Sequence, residues 1–274
     1  MLIRAGYQIS IQCDSETPLM ALLSVHPSRA HDLRSPAIIT GDHGSPLTAA
    51  FDDFGNVRTR TLAPPGIMTL KTDFLIEDSG QPDEVAPWAP EIPVAQLPND
   101  ALMFLLGSRY CETDKLATLA WSLFGHTPRG YPRVQAIVDY VHSHLTFGYP
   151  FACSTRTAAD AYQERVGVCR DFAHLAVAFC RCMNIPARYC TGYLGDIGVP
   201  PVDAPMDFSA WFEVYLGGRW YTFDARHNRP RIGRVVIAKG RDAADVPIYT
   251  SFGPSRLVGF SVITDQVDQS RRAA

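Results

Sequence analysis

The stretch Gly167-Val168-Cys169-Arg170-Asp171-Phe172-Ala173-His174-Leu175, which runs on as AVAFCRCMNIPARY to Tyr189, decides the architecture. Phe172, Leu175, Ala176, Phe179 and Met183 recur at helical spacing, Asn184 can cap the end, and Pro186 blocks continuation. The pattern predicts a helix of about 15 residues opened by Cys169. A thiol there meets the unpaired N–H groups and positive end of the helix dipole, which favour thiolate, the nucleophilic form. A free cysteine is more often a small buried hydrophobe, so a nucleophilic role for Cys169 needs partners elsewhere in the chain.

Those partners are sought downstream. Ser209-Ala210-Trp211-Phe212-Glu213-Val214-Tyr215-Leu216 and Arg219-Trp220-Tyr221-Thr222-Phe223-Asp224 flank Gly217-Gly218, a strong signal for a two-residue β-hairpin. If Leu216 pairs with Arg219, Trp211 faces Asp224 and Ser209 faces Arg226, making Ser209 and Asp224 diagonal neighbours on one face. A carboxylate beside a base, next to a helix-capping cysteine, is what a Cys-His-Asp triad needs. Here the base position holds serine.

GVCRDFAHLAVAFCRCMNIPARYCTGYLGDIG followed by DFSAWFEVYLGGRWYTFDARHN resembles the transglutaminase-like superfamily, and within it the bacterial transglutaminase-like cysteine peptidase proteins. The resemblance covers roughly residues 100 to 265, in the right block order. It implies an α+β fold: an N-terminal antiparallel β domain, then a transglutaminase-like, papain-like catalytic domain whose nucleophile helix packs on an antiparallel sheet. It also implies that Cys169 is the nucleophile, that Asp224 orients the base, and that the family's histidine is replaced by Ser209. Serine is too short, and its pKa far too high, to take a proton from a thiol near neutral pH. Three readings of Ser209 stand open: an introduced replacement, a natural loss of activity, or a base supplied from elsewhere. His227, three residues past Asp224, would point to the other face of a continuing strand. His174 is rotated about 140° from Cys169 on the helix, and both read as structural histidines.

The implied chemistry is hydrolysis of peptide or isopeptide amides through a thioester at Cys169, impaired by Ser209. The alternatives are a silent module that binds peptides in the same cleft, and a protein-glutamine acyltransferase. Weaker candidates surround this core. Gln163 or Tyr162 could assist the Cys169 N–H in holding an oxyanion. Tyr193, Asp196 and Trp211, with Arg241-Asp242 and Ser251-Phe252-Gly253-Pro254, could line the cleft. No cofactor or metal is expected, since Cys180/Cys182 and His142/His144 are i, i+2 pairs that diverge on a helix. Asp196, Asp203 and Asp207 do not make a calcium loop.

Toward the N-terminus, Ile3, Ala5, Tyr7, Ile9, Ile11 and Cys13 alternate with mostly polar residues, the period of a half-buried strand. β-rich runs at Leu19 to Val25 and Ile67 to Ile76 suggest a β domain over residues 1–80. Prolines at 82, 87, 90, 93 and 98 make residues 81–100 a linker, leaving 101–274 as the catalytic domain, with helices expected at Ala117 to Phe124 and Arg133 to Leu145. With 25 Lys and Arg against 28 Asp and Glu among 274 residues, no global positive field exists to hold nucleic acid or an anionic membrane. Seven cysteines, an odd number irregularly spaced, argue for reduced thiols. Together with the absence of a leader-like pattern in MLIRAGYQISIQCDSE, this predicts a cytoplasmic protein. The sequence leaves the oligomeric state open.

Overall fold

The computed structural model describes residues 1–42, 44–203 and 205–268. At its centre lies the helix Cys169–Cys182, flanked by a helical layer on one side and a sheet on the other. Thr113–Phe124, Tyr131–His144 and Ala158–Glu164 form the helical layer. The antiparallel sheet runs in the order Arg219–Phe223, Ser209–Leu216, Ala187–Tyr193, Val235–Gly240. Because the helix is covered on both faces, every residue from Asp171 to Cys182 is buried. Phe172, Leu175 and Phe179 are each at most 2% exposed, and such side chains contribute about 1.5–3 kcal/mol apiece on burial. The helix begins at Val168, whose N–H donates to the Asp171 carboxylate at 2.8 Å, half of a capping box.

The hairpin has the register its turn dictates. Gly217 and Gly218 take φ of +56° and +92°, the left-handed pair required by the tight turn, and Leu216 pairs with Arg219. Pairing continues only to Phe212 with Phe223. There the chain turns: Asn228 N–H donates to Asp224 O at 2.8 Å, so the expected facing of Ser209 and Arg226 across a continuing ladder does not form. Ser209 pairs instead with Gly192 of the neighbouring strand. A Cβ at Gly192 would lie 2.1 Å from Val235 O, so glycine is what lets the Val235–Gly240 strand close against this position.

The alternation of the first strand matches its burial. Leu2–Cys13 buries Ile3, Ala5, Tyr7, Ile9, Ile11 and Cys13 and pairs with Gly66–Glu77 on one side. On its other side lies Ser255–Gln266. The four-stranded sheet therefore runs Ser255–Gln266, Leu2–Cys13, Gly66–Glu77, Thr40–Gly41. A second sheet joins Tyr249–Ser251 to Thr17–Ala21, Val57–Ala63 and Thr48–Phe51. The division expected at residue 101 thus fails for residues 249–266, which complete the N-terminal sheets. Inter-strand pairing carries no local signature for so distant a partner. One buried cluster runs from Ile3, Ile9 and Phe74 into Tyr193, Phe208 and Val235.

Residues 81–100 are a packed strap rather than a free linker. Ala86 and Ala89 are buried. Ala89 O and Pro90 O accept from Tyr131 N–H at 3.0 Å and Gly217 N–H at 2.9 Å. Proline removes donors but leaves acceptors, and the strap docks through those acceptors.

Candidate active site

Three elements converge at one cleft of about 200 Å³. The helix start brings Cys169, the first residue of the Ser209–Leu216 strand brings Ser209, and the turn after Phe223 brings Arg226 and His227. Cys169 is half-buried, within reach of the cleft. Its N–H and that of Arg170 lie in the first helical turn, where no intrahelical acceptor exists, so they are available to an oxyanion.

The thiol itself is not activated. Burial pushes the Cys169 pKa up, and Asp207 and Asp224 add to this, while Arg226 and the Ala210 N–H oppose it without prevailing. A helix terminus alone favours thiolate; here desolvation outweighs both it and the pull of Arg226 and the Ala210 N–H.

Asp224 is in the opposite condition. Burial alone would raise its carboxyl pKa, but Arg234 and His227 hold it well below the usual carboxylate range. Arg234 Nη2 and His227 Nδ1 both meet Asp224 Oδ2 at 2.9 Å, and His227 N–H donates to Oδ1 at 3.0 Å. Arg234 is clamped in turn by Asp83 of the strap, Nε to Oδ2 at 2.9 Å, and its guanidinium lies 5.0 Å from the Trp211 ring centroid.

His227 therefore differs from its sequence expectation. A continuing strand would point it to the far face; the turn at Asp224 folds it back onto the carboxylate and into the Cys169 cleft. His174 lies elsewhere, fully buried, accepting from Ala243 N–H at 3.1 Å and stacked 5.1 Å from Tyr110. Burial, with Arg170 and Arg181 nearby, drives its pKa well below normal.

Among the weaker candidates, Asp196 lines the cleft and accepts from Val202 N–H at 2.8 Å. The others do not line it. Tyr162 stacks on His144 at 4.6 Å and packs on Phe179, on the helical side of the central helix. Gln163 is exposed on the same short helix. Tyr193 is buried against Phe74 and Phe208, beneath the cleft floor, and Trp211 is buried with Cys190 and Val236. Asp242 Oδ2 accepts from Tyr110 N–H at 2.7 Å, Arg241 pairs with Asp245, and Phe252 N–H donates to Pro18 O, all away from Cys169. Sequence reasoning missed Arg234, Asp83 and the run Arg226, Arg229 and Arg231; the one available signal was the density of arginine in DARHNRPRIGR. Among the described residues no group of three or more His, Cys, Asp or Glu could hold a metal ion, and no helix is long and apolar enough to cross a membrane.

The family model described as the transglutaminase-like superfamily matches residues 118–225, a span containing Cys169, Ser209 and Asp224. The crystal structure of a candidate cysteine protease from Cytophaga hutchinsonii is 30% identical with a TM-score of 0.84, covering 98% of this chain and 91% of that one. An uncharacterized protein of Mycobacterium leprae is 34% identical over 143 residues, 48% of this chain and 49% of its own length. One of Mycobacterium tuberculosis is 28% identical over 228 residues, 73% of this chain and 71% of that protein. The match thus spans about half the length of the M. leprae relative.

Proposed function

Because the chain belongs to the transglutaminase-like superfamily, we propose that it is a cysteine amidohydrolase acting through Cys169, slowed by the serine at position 209. The observation that carries this reading is the shared cleft of Cys169 and Ser209, with Asp224 held ionised beside it. In the parent chemistry the Cys169 sulfur attacks an amide carbonyl and the base takes the thiol proton. The C–N bond then breaks, the amine leaves with a proton, and water hydrolyses the thioester. Water needs no second binding site, so hydrolysis is favoured over transfer to an amine. Ser209 cannot accept the thiol proton, and the raised pKa of Cys169 leaves little thiolate without that base.

The test compares this chain with Ser209→His and Cys169→Ala on a panel of peptide and isopeptide amides, with and without added amine, by mass spectrometry. Cleavage gained with histidine and lost with Cys169→Ala supports the reading. Inert proteins that bind the same peptides would replace it with a binding module, and amine incorporation would make it an acyltransferase.

One contact supports a second reading, in which His227 serves as the base. A carboxylate only accepts, so His227 Nδ1 donates to Asp224 at 2.9 Å, leaving Nε2 as the nitrogen that can take a proton. On this reading His227→Gln abolishes turnover by the unaltered chain, and Ser209→His adds little.

A further inference from the structure

The cleft is lined by three guanidinium groups, Arg226, Arg229 and Arg231, from six consecutive residues following the Asp224 turn. Their partners do not account for them. Arg231 is 4% exposed. Its Nη2 donates to Gly195 O at 2.9 Å and lies 3.8 Å from Asp196, but its Nε is buried with no acceptor. Buried guanidinium donors are normally satisfied, so the unpaired Nε leaves Arg231 with donor capacity its protein partners do not use. Burial, followed by the like charges of Arg234 and Arg229, lowers the Arg231 pKa, so an anion there would also relieve repulsion. Arg229 is exposed and forms no ion pair among the described residues. Arg226 stacks on the Phe147 ring at 3.8 Å, an arrangement that holds a guanidinium plane in place.

Two carboxylates share the cleft and limit what it can accept. Asp196 is engaged by Val202 N–H. Asp207 accepts from Phe208 N–H at 2.6 Å, and burial raises its pKa against the pull of Arg226. Three guanidinium groups against two occupied carboxylates leave one net positive charge, suited to a single planar anion. Carboxylate matches the flat fork of arginine, whereas a dianionic phosphate would meet stronger repulsion from Asp196 and Asp207. The apolar lining, with Val168, Leu194, Val202 and Met206, leaves room for an aliphatic stem.

We propose that Arg226, Arg229 and Arg231 form a carboxylate-binding subsite beside Cys169, so that the amide this protein acts on has a carboxylate within one or two residues of the acylating carbonyl. This rests on the amidohydrolase reading for its reaction but on the three arginines for its specificity. A free C-terminus and an acidic side chain present the same chemistry, and the test separates them.

Binding to the unaltered chain is measured by titration calorimetry with three peptides: acetyl-Gln-Ala with a free carboxylate, acetyl-Gln-Glu-amide, and the neutral acetyl-Gln-Gln-amide. At least one acidic peptide binds about tenfold more tightly than the neutral one, the size of one charge-assisted contact, and which of the two does so identifies the source. Arg229→Gln, at an exposed position, cuts that preference several-fold, and Arg231→Lys, checked for folding by circular dichroism, cuts it further. Equal binding of all three peptides overturns the proposal, as does a preference untouched by Arg229→Gln. In the Ser209→His background the same peptides report on cleavage. Acid preference in binding with no cleavage leaves the subsite standing and removes the amidohydrolase reading; cleavage without acid preference does the reverse.

Discussion

Two regions, the Asp224 lattice behind His227 and the Cys169 end of the cleft, are prepared to different degrees. The carboxylate region is complete: Asp224 is buried, accepts from Arg234 and twice from His227, and is tied through Arg234 to Asp83 on the strap. The thiol region has the helix start and its free first-turn N–H groups, yet burial leaves Cys169 less ionised than a free thiol. The contrast teaches that a supporting lattice cannot activate a nucleophile at a distance. The charge held on Asp224 raises the thiol pKa rather than lowering it, and an imidazolium at the sulfur would offset that.

The sharpest way to break this comparison is to supply the missing link. Ser209→His is expected to raise kcat/KM on a responsive amide by about 10²–10⁴, the usual contribution of a positioned acid–base, measured from initial rates. Equal rates before and after would mean that the thiol region already has its base. Next in size is the lattice around Asp224. Arg234→Met leaves Asp224 and Asp83 without their shared cation and should cost about 3–5 kcal/mol, read from urea unfolding midpoints; a loss below about 1 kcal/mol would mean that His227 alone sustains the carboxylate. Asp83→Asn removes the outer carboxylate, which also accepts from the Arg231 N–H, and should cost about 1.5–3 kcal/mol, with Asp224 still paired. The smallest effect is a displacement of a profile. With a raised pKa, Cys169 has a smaller thiolate fraction at pH 7 than a free cysteine, so its alkylation by iodoacetamide should keep climbing above the ordinary thiol range. Ser209→His should move that rise toward lower pH, because imidazolium favours thiolate; coincident profiles would contradict it.

Much of the scaffold was legible in the sequence. The central helix follows from spacing and its Asn184–Pro186 stop, and the hairpin register from Gly217-Gly218, because both are set by residues close in sequence. What sequence reasoning misjudged depends on where regular structure ends. A strand carried past Phe223 puts His227 on the wrong face; the turn there reverses the conclusion. Tyr162 and Gln163 are near Cys169 along the chain, but their helix faces Phe179 and solvent. Tyr193 lies on the strand adjoining Ser209, yet alternation buries it under the floor. Arg234 and Asp83 are joined across 151 residues, a separation at which no local pattern speaks.

The return of residues 255–266 to the first strand has a consequence for how the chain is made. Arg256 Nη2 reaches Gln12 Oε1, 244 residues away, and Ile3 to Cys13 pair along that seam, with one bulge at Ser10/Ile11. On a ribosome adding about 5–20 residues per second, the opening strand waits roughly 12–50 s with one edge unpaired. That edge alternates isoleucine with polar residues, the kind of template on which other chains pair. The N-terminal sheet therefore cannot close before residues 255–266 have been made, and until then the open edge of the first strand is available to other chains.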